Sequence, residues 1–203
     1  MLAAAPDQPR LPWRWDVLLG AQAAGEDPTA RWRHALAGST ARQYGMPAPP
    51  AMPAAFVLQW ALEVPATVGA YAALLGPWAA DLAPGSLSFD LAPDHLYPSH
   101  IQMRATAAAP ADPQERLGAA RAAYEALVRP FAERYTAGVR LGPHQRGAMV
   151  DDVWATAVHR ARQSAREKTS VPERGSCCFI YTLPATHECA GCPRLRRRGP
   201  VSR

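Results

Sequence analysis

Residues 176–193 read SCCFIYTLPATHECAGCP and hold all four cysteines of the 203-residue chain: Cys177, Cys178, Cys189 and Cys192. The pattern is an adjacent pair, ten intervening residues, then a C-x-x-C turn. Four thiols this close can hold one structural zinc, a two-iron or a four-iron cluster, or pair as disulfides. A C-x-x-C turn carries two sulfurs to one metal and turns backbone N–H groups, here those of Ala190 and Gly191, back toward them; zinc ribbons and iron–sulfur proteins share it. The adjacent pair discriminates better. Neighbouring side chains in extended backbone diverge, so aiming both sulfurs at one ion strains the chain, whereas a binuclear centre offers separated positions. Zinc sites usually space their cysteines by two to four residues, and this pair is not spaced at all.

Around this segment, 48% hydrophobic and 19% charged residues fit a folded chain, and the length allows one domain with a core plus an appendage. The opening MLAAAPDQPRLPW lacks a basic region followed by an apolar core, so a cytoplasmic location is expected. The most apolar stretch, residues 54–82, is interrupted by Gln59, Glu63, Pro65 and Pro77, which argues against a membrane span. In a reducing compartment, clustered thiols serve metals or redox chemistry more often than structural disulfides. The net charge of +5 favours anionic partners without choosing among them. Part of it lies in the tail RLRRRGPVSR, where Arg194, Arg196, Arg197, Arg198 and Arg203 crowd together. A solvated chain end is the plain reading, and a docking patch for an acidic partner the sharper one.

The body reads as mainly helical. A helix is predicted over residues 27–42, broken by the prolines of GMPAPPAMP. Residues 54–83 are apolar and helical, cut into pieces by Pro65 and Pro77, with Trp60, Leu62, Val68, Tyr71, Leu74, Leu75 and Trp78 as core. Alternation in SLSFDL and HIQMRA then predicts an antiparallel hairpin near residues 86–106. Asp112 as N-cap, Pro113 in the first turn and Glu115 three residues after the cap start a helix with an apolar face of Leu117, Tyr124, Leu127, Val128, Phe131 and Tyr135, kinked at Pro130 and stopped at Gly138. A last long helix over residues 144–168 turns Met149, Val150, Val153, Trp154, Ala157, Val158 and Ala161 inward. Asp151 and Asp152, at its front, are read as complementing the helix dipole. The expected fold class is therefore α+β: a mostly helical single domain over residues 1–168 with a small antiparallel hairpin or sheet, then a C-terminal cysteine-rich, cluster-binding segment with a basic tail over residues 169–203.

The string SCCFIYTLPATHECAGCPR resembles the C-terminal motif of the FhuF-like ferric siderophore reductases, whose four cysteines bind a [2Fe-2S] cluster. The C-C-x10-C-x2-C spacing, Tyr181, Leu183-Pro184 and Cys192-Pro193 carry the resemblance, and the order of LQWALEVPATVGAYAALLG, the hairpin and the Trp154 helix extends it more weakly over residues 54–194. Where that family often has Gly-Gly after Leu-Pro, this chain has Ala185-Thr186. The resemblance implies a [2Fe-2S] cofactor on Cys177, Cys178, Cys189 and Cys192. It does not say which cysteines share each iron, and the working hypothesis puts Cys189 and Cys192 on one and the adjacent pair on the other.

It also implies a ferric siderophore as substrate, reduced by one electron so that Fe(II) is released. Hard oxygen donors prefer Fe(III), so that electron loosens the complex. The chain has no G-x-G-x-x-G, so electrons are expected from an external donor such as a ferredoxin or a flavin or NAD(P)H reductase. Arg174, Arg194 and Arg196 flank the cysteines and are candidates for binding an anionic chelate, while His187 reads as a loop residue. Peripheral membrane association is compatible with this reading. A different class stays open, an iron–sulfur or zinc-containing sensor or nucleic-acid-binding module. Against nucleic acid stand the missing helix-turn-helix signature and a tail without interleaved aromatics. A chaperone-like siderophore-binding partner with a structural metal is a third reading, separated from the first by redox inactivity.

Overall fold

The computed structural model describes residues 11–106, 109–189 and 191–197 of the chain. In chain order these form β1 (Trp13–Arg14), α1 (Trp15–Ala23), α2 (Ala30–Tyr44), α3 (Ala51–Leu75), β2 (Ala79–Asp81), β3 (Leu87–Leu91), β4 (Pro98–Thr106), α4 (Pro113–Glu133), α5 (Pro143–Ser164) and α6 (Pro193–Arg197). Among the described residues the fold is thus a mostly helical single domain with six helices, a four-stranded antiparallel sheet and a cysteine-rich segment at its C-terminal end.

The apolar run around Pro65 makes one unbroken helix of 25 residues, not several pieces. An interior proline removes a backbone donor and clashes with the preceding turn, at a cost of about 3 kcal/mol. Pro65 is itself buried, and α3 packs against both α4 and α5, so the apolar area removed from water outweighs that cost. The helix ends at Leu75, two residues before Pro77. It is long and apolar enough to cross a membrane, but most of its apolar window is buried inside the domain, as in a core helix.

The core side of α3 is built largely of small residues, among them Ala54, Ala61, Ala66 and Ala70, which let the neighbouring helices approach closely. At Gly69 a Cβ would lie 3.3 Å from Leu82 Cδ1 and 3.5 Å from the Trp154 ring, so the missing side chain makes room for both. Of the expected core residues on this helix, Leu62 and Val68 are buried, Trp60, Tyr71 and Leu74 are partly buried, and Leu75 is 48% exposed. Alanines share the centre with Val57, Leu58, Leu62 and Val64, and the aromatic side chains of Phe56, Trp60 and Tyr71 lie toward the edges.

The start of α4 follows its local signals. Asp112 accepts the Glu115 N–H at 3.0 Å, and Pro113 occupies the first turn. The helix continues through Pro130 and stops at Glu133, short of Gly138. A buried tyrosine within the helix and one just past its end are tied to its neighbours: Tyr124 Oη donates to the Val150 carbonyl and Tyr135 Oη to that of Ala54, each at 3.0 Å. This satisfies the one polar atom of each ring and fixes the register of α4 against α5 and α3. Helix α5 ends at Ser164 rather than at residue 168, and the inward set is buried as expected except Val158, which is partly so.

The β3–β4 hairpin pairs Phe89 with Ile101 and carries an irregularity at Asp90/Leu91. Two short edge strands that have no alternation of their own complete the sheet in the order β1-β3-β4-β2. Trp13, Trp32, Trp60 and Phe89 interlock beneath it, and Trp32 Nε1 donates to the Leu96 carbonyl at 2.7 Å, fastening the hairpin loop to α2.

Candidate metal centre

Past α5 the chain doubles back along that helix, and two of its side chains hold the return. The Gln145 amide pairs with the peptide groups of Cys177: Nε2 donates to the Cys177 carbonyl at 2.6 Å, and Oε1 accepts the Cys177 N–H at 3.2 Å. Two turns along, the buried Asp152 carboxylate accepts the Gly175 N–H at 2.9 Å, the Ser176 N–H at 2.7 Å and the Ser176 hydroxyl. These are charge-assisted bonds in a site screened from water, where each is stronger than at the surface. Gly175 packs so near α5 that a Cβ there would lie 3.2 Å from that of Ala148.

The loop between the cysteine pairs is closed by its own hydroxyls. Phe179 takes a left-handed conformation with φ of 62°, and its N–H points at the Cys177 sulfur at 3.4 Å. A single 3-10 turn follows over Ile180–Thr182. Thr182 and Thr186 cap the carbonyls of Phe179, Ile180 and Leu183. Ala185 also has positive φ, at 55°, so an alanine stands where a glycine would be free of strain.

The second pair turns back under Gly191. At φ of 73° its backbone suits glycine, and a Cβ would lie 2.6 Å from the Pro172 carbonyl oxygen. The Arg174 N–H donates to the Gly191 carbonyl at 3.1 Å, joining the two cysteine-bearing stretches, and the Cys192 N–H closes the turn on the Cys189 carbonyl at 3.0 Å. Ala190 lies outside the described residues.

The four cysteines thus lie on one short segment anchored beside α5. Cys178 and Cys192 are buried, and Cys177 and Cys189 reach the surface. A sulfur–sulfur contact of 3.7 Å joins Cys178 to Cys189 across the two halves of the motif. The proton shared in that contact holds Cys178 below the ordinary thiol range against the effect of burial, and holds Cys189 above it. Burial pushes Cys177 up, and the Phe179 N–H opposes it. The environment therefore eases loss of one proton from the coupled pair and hinders the next, as in ligand sets that shed protons when a cation arrives. Among the described residues no group of three or more His, Cys, Asp or Glu side chains is disposed to hold a metal ion as the chain stands. Four thiols on one segment, with N–H and guanidinium donors aimed at sulfur, are in their chemistry the donor set that iron–sulfur clusters use.

Of the expected chelate-binding arginines, Arg174 is only 13% exposed in its side chain. Its guanidinium donates to Gln59 Oε1 at 2.8 Å, reaches Ser176 Oγ at 3.4 Å and Cys189 Sγ at 3.9 Å, and lies 3.8 Å from Asp152. Arg194 stacks over the Tyr181 ring at 3.9 Å and lies 3.8 Å from Glu188. The Arg196 side chain and the tail beyond residue 197 lie outside the described residues. His187 is exposed in the loop.

Asp152 and Gln145 are the residues that sequence reasoning missed. Asp152 does not stand at the front of α5, which begins at Pro143, so the dipole explanation does not apply to it. Only Asp151 faces solvent, near Arg121 and Arg129. A signal was present: Asp152 interrupts the apolar stripe between Met149 and Val153, where a charge needs an internal partner.

Comparison with curated proteins and with solved structures yields no match to the chain. A family model does match the segment whose anchoring has just been described, and all four cysteines fall within it. Residues 174–194 match the FhuF 2Fe-2S C-terminal domain, and with its cysteine cluster this segment supports a [2Fe-2S] cofactor and an FhuF-like iron–sulfur protein.

Proposed function

We propose that the protein is a cytoplasmic ferric siderophore reductase that passes one electron to the Fe(III) of a chelate and so releases Fe(II). The observation that carries this reading is the matched four-thiol segment, anchored on a rigid helix with two of its cysteines at the surface. A [2Fe-2S] cluster, held by Cys177, Cys178, Cys189 and Cys192, supplies single electrons when bound. The chain's own groups set the conditions. The Phe179 N–H and the Arg174 guanidinium point at the sulfurs of Cys177 and Cys189 and offset negative charge there. Burial of Cys178 and Cys192 keeps water from the inner side, while Cys177 and Cys189 leave an outer side open to a substrate.

The substrate iron sits among hard oxygen donors that hold Fe(III) far more strongly than Fe(II), so a single electron suffices for release and no proton-transfer dyad is needed. The electron donor is a separate protein, a ferredoxin or a flavin or NAD(P)H reductase. The reading is tested by purifying the protein without oxygen, reducing it with dithionite and mixing it with a ferric siderophore. Return of the oxidised cluster absorption well ahead of a buffer control is expected. Equal rates with and without the ferric chelate would overturn the assignment.

A further inference from the structure

Resting on the reductase reading, the geometry points to a substrate site of its own: a trough along α3 that begins at Cys189 and ends on a ledge of aromatic side chains beside β4. Its inner compartment, a cavity of about 240 Å³, lies between α3, α5 and the return segment and is lined by Gln59, His159, Arg174 and Cys189. Its outer compartment, about 420 Å³, lies between α3 and β4 and is lined by Trp60, Tyr71, Tyr97 and Ile101. Glu63 and Arg160, an ion pair, belong to both linings and form the sill between them. The two volumes together fall in the range of small-molecule sites.

Three features mark this trough as built for a ligand. First, Trp60, Val64, Thr67 and Tyr71 recur every three or four residues, so one face of α3 looks into the outer compartment along its length. Second, the buried side of α3 is filled by alanines with Val57, Leu58 and Leu62, while Trp60 and Tyr71 are only partly buried at the open edge, and Tyr97 and Ile101 opposite are 45% and 38% exposed. Exposed apolar groups gathered about a concavity are a mark of binding sites. Third, the trough leads to a surface-reaching cysteine of the thiol centre.

The reductase reading supplies the ligand class, and the lining suits it. A ferric chelate has a hydrocarbon and amide framework around an oxygen-ligated iron. The aromatic ledge suits the framework. Arg160, 53% exposed, and Glu63 offer a donor and an acceptor to the oxygen-bearing core, which then lies toward Cys189. Arg160 thus takes the contact role that sequence position had suggested for Arg174, whose guanidinium is turned to Gln59, Ser176 and the Cys189 sulfur.

The test uses cluster-loaded protein and chelates that bind without being reduced, the gallium(III) complexes of desferrioxamine B and of enterobactin, measured by titration calorimetry. Wild type is expected to bind at least one of them. Arg160→Glu and Ile101→Glu, both at exposed positions, are each expected to weaken that binding at least tenfold with the cluster absorption spectrum unchanged. Binding of wild-type strength in both variants overturns the site, and so does absence of binding of either complex to wild type. Intact, trough-dependent gallium binding in a protein whose reduced form ferric chelates do not reoxidise supports the site and overturns the reductase reading alone.

Discussion

Asp152 shows how much of the thiol centre depends on one side chain. Its carboxylate satisfies two backbone N–H groups and a hydroxyl in the segment directly before Cys177, and Ser176 is fully buried. Truncation to alanine leaves those donors without an acceptor in a dry site, at roughly 1–3 kcal/mol for each buried group. Asp152→Ala is therefore expected to bind markedly less iron per chain than wild type, measured by iron and acid-labile sulfide content after anaerobic purification. Asp152→Asn, which keeps one acceptor oxygen, should fall between the two. Equal loading in all three proteins would show that the segment folds without this anchor. The cysteines were legible from their own spacing because all four lie within sixteen residues. Their anchor was not, since Asp152 stands 24 residues away from Ser176 along the chain and reaches it only when the segment folds back.

Among the elements, α3 and α5 make the most intimate pairing, and Gly69 lies in it. A Cβ there is tolerable at 3.3 Å from Leu82, but the branched methyls of valine would press into Leu82 and the Trp154 ring. Overpacking of this kind costs about 1–3 kcal/mol. Gly69→Val should lower the thermal midpoint by several degrees, read by circular dichroism, while Gly69→Ala should change it little because improved helix propensity offsets the crowding. Helix starts such as Asp112-Pro113 were readable because their hydrogen bonds run only three residues along the chain. The continuity of α3 through Pro65 was not, because tertiary burial and not local propensity settles it.

For the whole molecule, charge and burial fix the pH range of stability. At Asp27, burial acts to raise the carboxyl, but the Arg33 hydrogen bond and charge and the Thr29 contacts prevail and hold it below its ordinary range. Asp81 is lowered chiefly by Ser86, and Glu125 chiefly by Arg121. A carboxylate depressed in the folded state contributes stability above its unfolded pKa of about 4 and loses it as pH falls further. Tyr124 and Tyr135 act at the other end. Burial raises both, Tyr135 up to about 12, so the folded state keeps protons that the unfolded chain releases above about pH 10. In cluster-loaded protein, whose thiols are held deprotonated as ligands, the thermal midpoint should accordingly be flat through neutrality and fall below about pH 4 and above about pH 10. Asp27→Asn should lower it at pH 7 and soften the acid slope; an unchanged acid limb would remove the Asp27–Arg33 pair from the account.

The sequence by itself carried four sulfurs at fixed short spacing, the likeness of their segment to the FhuF 2Fe-2S C-terminal domain, and the helices whose caps and periodicity lie within a few residues of one another. Such features depend on neighbours along the chain, and a turn or two of backbone is enough to express them. Only the tertiary structure decided what surrounds the sulfurs. Residues 59, 63, 145, 152 and 160 reach the thiol centre or its trough from two helices that are distant in sequence from the cysteines. The physical reason is packing: alanines and aliphatic side chains take up the buried side of α3 where it meets α5, and the aromatic and polar side chains are left to line the groove beside them.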